Sequence, residues 1–201
     1  MDLTPYELTE GAQLVRSDAS NLPQSCSFTI HAAAGDDLFF EPEGEKRVSQ
    51  GTFWVGMEAD GSFQFSLRAS VPYRSQFDSL ALVVYVDEDH WAKVCLEQDT
   101  QGRARFVSVV TNGKSDDSNG PFFHEEAVFL RASRKGNVVA FHGSIDGTSW
   151  DLVRLFSFSE DGTAPVKVGL MAQSPCGSGL EVTVLELMTS FEALNDPRSS
   201  F

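Results

Sequence analysis

The chain has 201 residues, with 15 Lys and Arg against 29 Asp and Glu, for a formal charge of −14. A chain of this length buries a full core without disulfides or metals and corresponds to one domain. Hydrophobic residues at 41% and charged residues at 22% exclude wholesale disorder, and the charge argues against nucleic acid or an anionic membrane as partner, because such a face needs clustered Lys and Arg.

Residues 1–25 are polar and irregular and read as an N-terminal arm. The first seven residues lack the basic and apolar regions of a secretory signal, and no stretch approaches the roughly 18 apolar residues of a membrane span. Beyond the arm, strands are expected at 27–30 and 37–40, followed by a charged loop at 41–46. Two more, 52–55 and 62–67, flank the turn Asp60-Gly61. Segments 79–86, 91–98 and 103–112 form a meander through the short connectors Asp87-Glu88-Asp89 and Asp99-Thr100-Gln101-Gly102. Residues 113–121 read as a long polar loop. Strands resume at 127–134, 138–144, 150–156, 166–173 and 180–191, with turns at Lys135-Gly136-Asn137 and Asp146-Gly147-Thr148 and a C-terminal tail at 192–201.

These make about 11–12 strands at roughly ten-residue spacing, which predicts an all-β sandwich of two antiparallel sheets over residues 26–191. Phe supplies 16 of the aromatic residues and has no polar tip to satisfy, so most of these rings are assigned to the core. The three cysteines, Cys26, Cys95 and Cys176, are odd in number and show no CxxC spacing. They read as free thiols in a reducing compartment, and the expected location is the cytoplasm.

Alternation sorts the faces of the meander. Leu80, Leu82, Val84, Ala92, Val94 and Leu96 form one apolar set and should face the other sheet. Tyr85, Trp91, Lys93, Cys95 and Glu97 then share the opposite face. For residues 127–134 either Val128 and Leu130 or Phe129 is inward, which leaves the direction of Arg131 open. A face carrying Tyr85, Trp91, Lys93 and Glu97 suits a sugar: rings stack on the apolar side of a pyranose, and polar groups meet its hydroxyls. The competing reading is a solvated sheet whose Lys stem covers apolar surface. The candidate ligand residues are Tyr85 and Trp91 for stacking, with Lys93, Glu97, Ser108 and Asn112 for hydrogen bonding.

Glycoside hydrolysis needs two carboxyl groups, roughly 5 Å apart for retention or 6.5–9.5 Å for inversion. Asp87 and Asp89 have a suitable spacing but fall in a turn. Glu97 is the one catalytic candidate, and its partner would have to come from a neighbouring strand. His31, His90, His124 and His142 are scattered, without HxH or HExxH spacing, so no zinc site is expected. Asp116-Asp117 lacks an EF-hand pattern and reads as a polar turn. No nucleophile elbow or glycine-rich phosphate cradle occurs, and no cofactor is implied.

Several segments match a known family in order and spacing. They are Gly51-Thr52-Phe53-Trp54, Asp78-Ser79-Leu80-Ala81-Leu82-Val83-Val84 and His90-Trp91-Ala92-Lys93-Val94-Cys95-Leu96-Glu97. The series continues with Phe106-Val107-Ser108-Val109-Val110-Thr111-Asn112, Ser115-Asp116-Asp117-Ser118 and Leu130-Arg131-Ala132-Ser133-Arg134-Lys135-Gly136. It closes with Ser144-Ile145-Asp146-Gly147-Thr148-Ser149-Trp150 and Gly169-Leu170-Met171-Ala172-Gln173-Ser174-Pro175. On these residues, spanning about 26–191, the chain resembles the small intracellular proteins with a domain of unknown function whose yeast member is called regulation of enolase protein 1.

That resemblance implies a concanavalin A-like lectin/glucanase jelly roll, a cytoplasmic location, and a role in regulating carbohydrate metabolism or enolase. It implies no agreed reaction. The family pattern commonly has an aromatic where Asp117 stands, so a role for that ring does not carry over. Where related laminarinase-type glucanases have Glu-x-Asp-x-x-Glu on one strand, this chain has Trp91-Ala92-Lys93-Val94-Cys95-Leu96-Glu97. Three functions compete: a non-catalytic lectin-like protein for a saccharide or sugar metabolite, an interaction partner of a metabolic enzyme such as enolase, and a carbohydrate-active enzyme using Glu97.

Overall fold

A computed structural model describes residues 27–158 and 165–198. The described chain contains fourteen strands and no helix. One six-stranded sheet is ordered β1 (Phe28–Ala33), β14 (Gly179–Ser190), β5 (Phe63–Ser70), β10 (Val128–Lys135), β11 (Val138–Ser144), β12 (Asp151–Phe156). The second is ordered β4 (Trp54–Ala59), β13 (Val166–Gln173), β6 (Ser79–Tyr85), β7 (His90–Gln98), β8 (Ala104–Asn112), β9 (Lys114–Phe122). All pairings are antiparallel, and β2 (Asp37–Phe40) with β3 (Arg47–Gln50) makes a separate two-stranded ribbon. This is a jelly-roll sandwich of the concanavalin A-like kind, with two more strands than the upper sequence expectation. The predicted N-terminal arm lies outside the described residues.

Both surplus strands are edge elements with little to bury. The segment expected as a polar loop is β9, whose sequence KSDDSNGPF pairs with β8 from Asn112↔Lys114 to Arg105↔Phe122. Charged residues and a proline are what a sheet edge tolerates, so β9 carries no apolar alternation to betray it. β3 follows the charged loop and is equally polar.

Between the sheets lies the main core. Leu80, Leu82, Val84, Ala92, Val94 and Leu96 all point into it and meet Phe63, Phe65, Leu130 and Phe141 of the opposing sheet. Each of these Leu, Val and Phe side chains stabilises the fold by roughly 1.5–3 kcal/mol through burial, and the small Ala92 by less. Close packing also dictates Gly169: at the β13–β4 irregularity a Cβ there would stand 2.0 Å from the Trp54 carbonyl oxygen.

The two outer faces are covered differently. Over the second sheet, the ribbon drops Leu38 and Phe40 onto Val83, Trp91, Val109 and Met171, making a smaller second core. Over the first sheet runs the C-terminal segment, with Leu194 buried. Its carbonyls accept from Gln64 (Glu192 O, 3.1 Å), Lys135 (Asn195 O, 2.6 Å) and His142 (Pro197 O, 3.0 Å). Among the described residues no helix is long and apolar enough to cross a membrane.

Candidate functional site

The outer face of the second sheet carries the odd-numbered residues of β6, β7 and β8, as ladder register requires. Ser79 opposes Glu97, Val83 opposes Lys93, and Tyr85 opposes Trp91. On the other side of β7, Glu97 opposes Arg105 and Lys93 opposes Val109, which in turn opposes Asp117 of β9. The ribbon crosses this face over its Trp91 end and stops short of its Glu97 end. There a cleft of about 250 Å³ remains, floored by Lys93, Glu97, Val107 and Val109. Its walls are Asp37, Phe39 and Glu41 of the ribbon strand and its exit, Asp117 of β9, and Phe77 and Pro175 from two loops.

Of the six nominated ligand residues, the structure brings two together here, Lys93 and Glu97. Trp91 is wholly buried, with Phe40 edge-on to its ring at 5.5 Å. It has no exposed face to stack on a sugar, which corrects that assignment. Tyr85 is also buried, 6.1 Å from the Phe53 ring and with Lys167 Nζ 5.8 Å above its own. It belongs to the second core and does not line the cleft. Burial, with help from Glu88 and Asp87, pushes its hydroxyl up to about 12. Ser108 opposes Val94 and is therefore turned into the space between the sheets, where it is fully buried. Asn112 is exposed at the end of β8, paired with His90, and shares Ser108's side of the strand.

Lys93 anchors the floor. Its ammonium, almost fully buried, donates to Gln173 Oε1 at 3.0 Å and lies 3.6 Å from Asp37 Oδ1. Gln173 closes the network by donating to Asp37 (2.9 Å) and accepting from Ser79 Oγ (3.2 Å). A buried ammonium needs such partners, and they hold it beneath the cleft.

Glu97 is tuned differently. Burial is the main force on its carboxyl and raises its pKa to about 7; Asp37 and Asp117 push the same way, while Lys93 and Arg105 oppose. The group therefore gains and loses its proton near neutrality, as hydrogen-bond donor or acceptor. Asp37 and Asp117 are the neighbouring acids that the sequence left unnamed.

At the mouth stands Phe77, exposed and held at φ 65°. A bulky residue in the left-handed region costs about 1–3 kcal/mol and persists only where its surroundings impose it. They do so here. Phe77 N–H donates to Gln98 O at 2.8 Å, and the next residue, Asp78, is fully buried. Asp78 accepts from Arg74 N–H, Ser75 N–H and Ser174 Oγ at 3.0, 2.9 and 2.7 Å. The ring thus stands beside the cleft on a rigid turn. No periodicity in the sequence marks it.

Asp116-Asp117 lies within β9 and not in a turn; Asp116 pairs with Arg154 at 3.1 Å while Asp117 faces the cleft. Among the described residues no group of three or more His, Cys, Asp or Glu side chains is placed to hold a metal.

A ribbon-capped jelly roll with a carboxylate-walled cleft on its outer sheet is the class defined by this geometry. The family can be named as well. Residues 16–191 match the model of the family described as "Protein of unknown function (DUF1349)", and the chain belongs to that family. "Regulation of enolase protein 1" of Saccharomyces cerevisiae is 34% identical over 134 residues, an alignment covering 66% of this chain and 66% of that relative, just under two thirds of its length. A crystal structure of a functionally unknown protein from the same yeast superposes with a TM-score of 0.76 at 26% identity, covering 89% of this chain and all of the other. The GH43 protein BlXynB from Bacillus licheniformis matches with a TM-score of 0.58 at 13% identity over 82% of this chain, which spans 33% of that protein. This last likeness speaks for the fold alone.

Proposed function

We propose that the cleft binds a saccharide or sugar metabolite and that the protein acts as a non-catalytic, lectin-like regulator of carbohydrate metabolism in the cytoplasm. The observation that carries this reading is the placement of Lys93 and Glu97 on one strand in a cleft of about 250 Å³ bordered by the exposed Phe77 ring. The volume lies just below the roughly 300–1,000 Å³ typical of sites for drug-sized ligands, which suits a single sugar ring. Carboxylates accept from sugar hydroxyls, the Lys93 ammonium donates, and Phe77 offers an apolar face. Asp37, Glu41 and Asp117 against one ammonium, with Glu97 adding its charge as it ionises, repel a phosphorylated sugar and favour a neutral or amino sugar. Isothermal titration with neutral, 2-amino and phosphorylated monosaccharides tests this. Binding of neutral or amino sugars, lost in Lys93→Met, is the expected result; no binding by any of them overturns the reading.

A second reading rests on the name of the yeast relative: docking to a metabolic enzyme such as enolase. The exposed Leu152 and Met188 on the outer side of the first sheet, with Ile145 in the β11–β12 turn, supply apolar contacts away from the cleft. Sedimentation of purified enolase with the protein decides it, and independent migration at micromolar concentration sinks it. A catalytic role for Glu97, with Asp37 or Asp117 as second carboxylate, requires a substrate whose turnover Glu97→Gln abolishes.

A further inference from the structure

Among the described residues most cations held in the fold meet acceptors. Arg68 has a buried Nε without a partner but donates from Nη1 to Glu186 Oε1 at 3.2 Å, and Arg131 alone has two buried nitrogens without one. Arg103 grips Asp99 with its Nε and Nη2 hydrogens at 3.0 and 2.8 Å. Arg105 turns the same edge of its guanidinium onto Gly120 O at 3.3 and 2.8 Å. Lys93 has Gln173 and Asp37. Arg131 also has that edge buried, but neither Nε nor Nη2 meets an acceptor.

Arg131 is only 7% exposed and lies on the outer face of the first sheet. Ladder register sets Ser66, Arg131 and His142 in one row across β5, β10 and β11, with Gln64, Ser133 and Ala140 in the next. Trp150 stacks over the guanidinium with its ring centre 4.3 Å from Cζ. Burial alone acts on the Arg131 charge, pulling its pKa down to about 10, and no carboxylate offsets it. Two more polar atoms of these rows are buried without partners, Ser133 Oγ and His142 Nδ1. The other His142 nitrogen, Nε2, lies 3.0 Å from Pro197 O, so Nε2 carries the hydrogen and Nδ1 is an acceptor in the neutral ring.

Four partnerless polar atoms in two adjacent rows, one pair of them on a charged group, require an explanation. Two N–H groups on one guanidinium edge match two oxygens of an oxyanion, Ser133 adds a hydroxyl, and His142 Nδ1 calls for a donor. Hydrogen phosphate offers both acceptor oxygens and, near neutral pH, an O–H group, which a phosphate monoester keeps only below its second pKa of about 6. Sulfate and acetate lack that donor. We propose that Arg131, Ser133 and His142 form a phosphate-binding site beneath the C-terminal segment, roofed on one side by Trp150. The segment covers it through carbonyl contacts to Gln64, Lys135 and His142 and the buried Leu194, contacts few enough to open and admit a small anion. The site is separate from the carboxylate cleft and rests on none of its residues.

Titration calorimetry and thermal unfolding with inorganic phosphate test the proposal. Wild type should bind one phosphate and unfold at a higher temperature in its presence. Arg131→Met should bind at least about tenfold more weakly, as expected when charge-assisted hydrogen bonds are lost, and its unfolding temperature should not respond. Without phosphate the variant should be as stable as wild type or more so, because an uncompensated buried charge has been removed. Should the variant fail to fold, the Arg131 Nε–H signal of ¹⁵N-labelled wild type takes its place and should shift saturably with phosphate. The proposal is overturned by no saturable heat and no signal shift, by an equal response in Arg131→Met, or by acetate reproducing the effect.

Discussion

The two ends of β7 present the same face of the same sheet, and the chain treats them oppositely. At the Trp91 end, Phe40 and Leu38 of the ribbon seal the surface; Phe40 N–H donates to Ser115 Oγ at 2.9 Å and Arg47 pairs with Asp89 at 2.6 Å to fasten the cover. At the Glu97 end, the ribbon contributes Asp37 and Glu41 to the wall of an open cleft. The lesson is that alternation assigns a residue to a face, while a separate element decides whether that face is core or surface. A large aromatic such as Trp91 gains more from being covered than from waiting for a ligand.

Truncation at the sealed end should have the largest effect. Trp91→Ala removes a fully buried ring, and a loss of about 3–5 kcal/mol in urea unfolding is expected. A loss below about 1 kcal/mol, the size of a surface change, would mean the ribbon does not hold this ring as core.

The open end should respond to pH instead. Glu97 has a folded pKa of about 7 against an ordinary 4.5, so the folded state holds its proton more tightly. Its favourable contribution is complete below about pH 4.5 and is lost as pH rises through about 7. Glu97→Gln escapes that loss. Relative to wild type it should gain on the order of 1–2 kcal/mol between pH 5 and pH 8, a figure reduced for partial solvent screening. Equal urea midpoints for the two proteins at both pH values would show that Glu97 is not desolvated.

The smallest stability effect is expected at the cleft mouth. Phe77→Asn places a residue tolerant of φ 65° there and removes the exposed ring. Stability should stay within about 1 kcal/mol of wild type, while sugar binding weakens. Unchanged affinity would remove Phe77 from the site.

Much of the sandwich was legible because Leu80 to Val84 and Ala92 to Leu96 alternate cleanly. Residues 106–110 of β8 gave no such signal, since Phe106, Val107, Val109 and Val110 are apolar on both sides. The hairpin itself held the answer. The Gln98↔Ala104 pairing beside the turn sets odd residues against odd, putting Val107 and Val109 next to Cys95 and Lys93 and turning Ser108 inward. Lys93 and Glu97 were found because they share one strand face. Asp37, Glu41, Phe77 and Asp117 were not, because they arrive from a ribbon, a strained turn and a polar edge strand, and no local period reports long-range placement.

The contrast between the two ends is tested most directly by nuclear magnetic resonance of the labelled protein titrated with neutral and 2-amino monosaccharides. The account predicts that the amides of Phe77, Lys93, Glu97 and Asp117 shift together while the Trp91 indole N–H stays still. A saturating shift centred on the Trp91 indole, with the Lys93 and Glu97 signals unmoved, would contradict it.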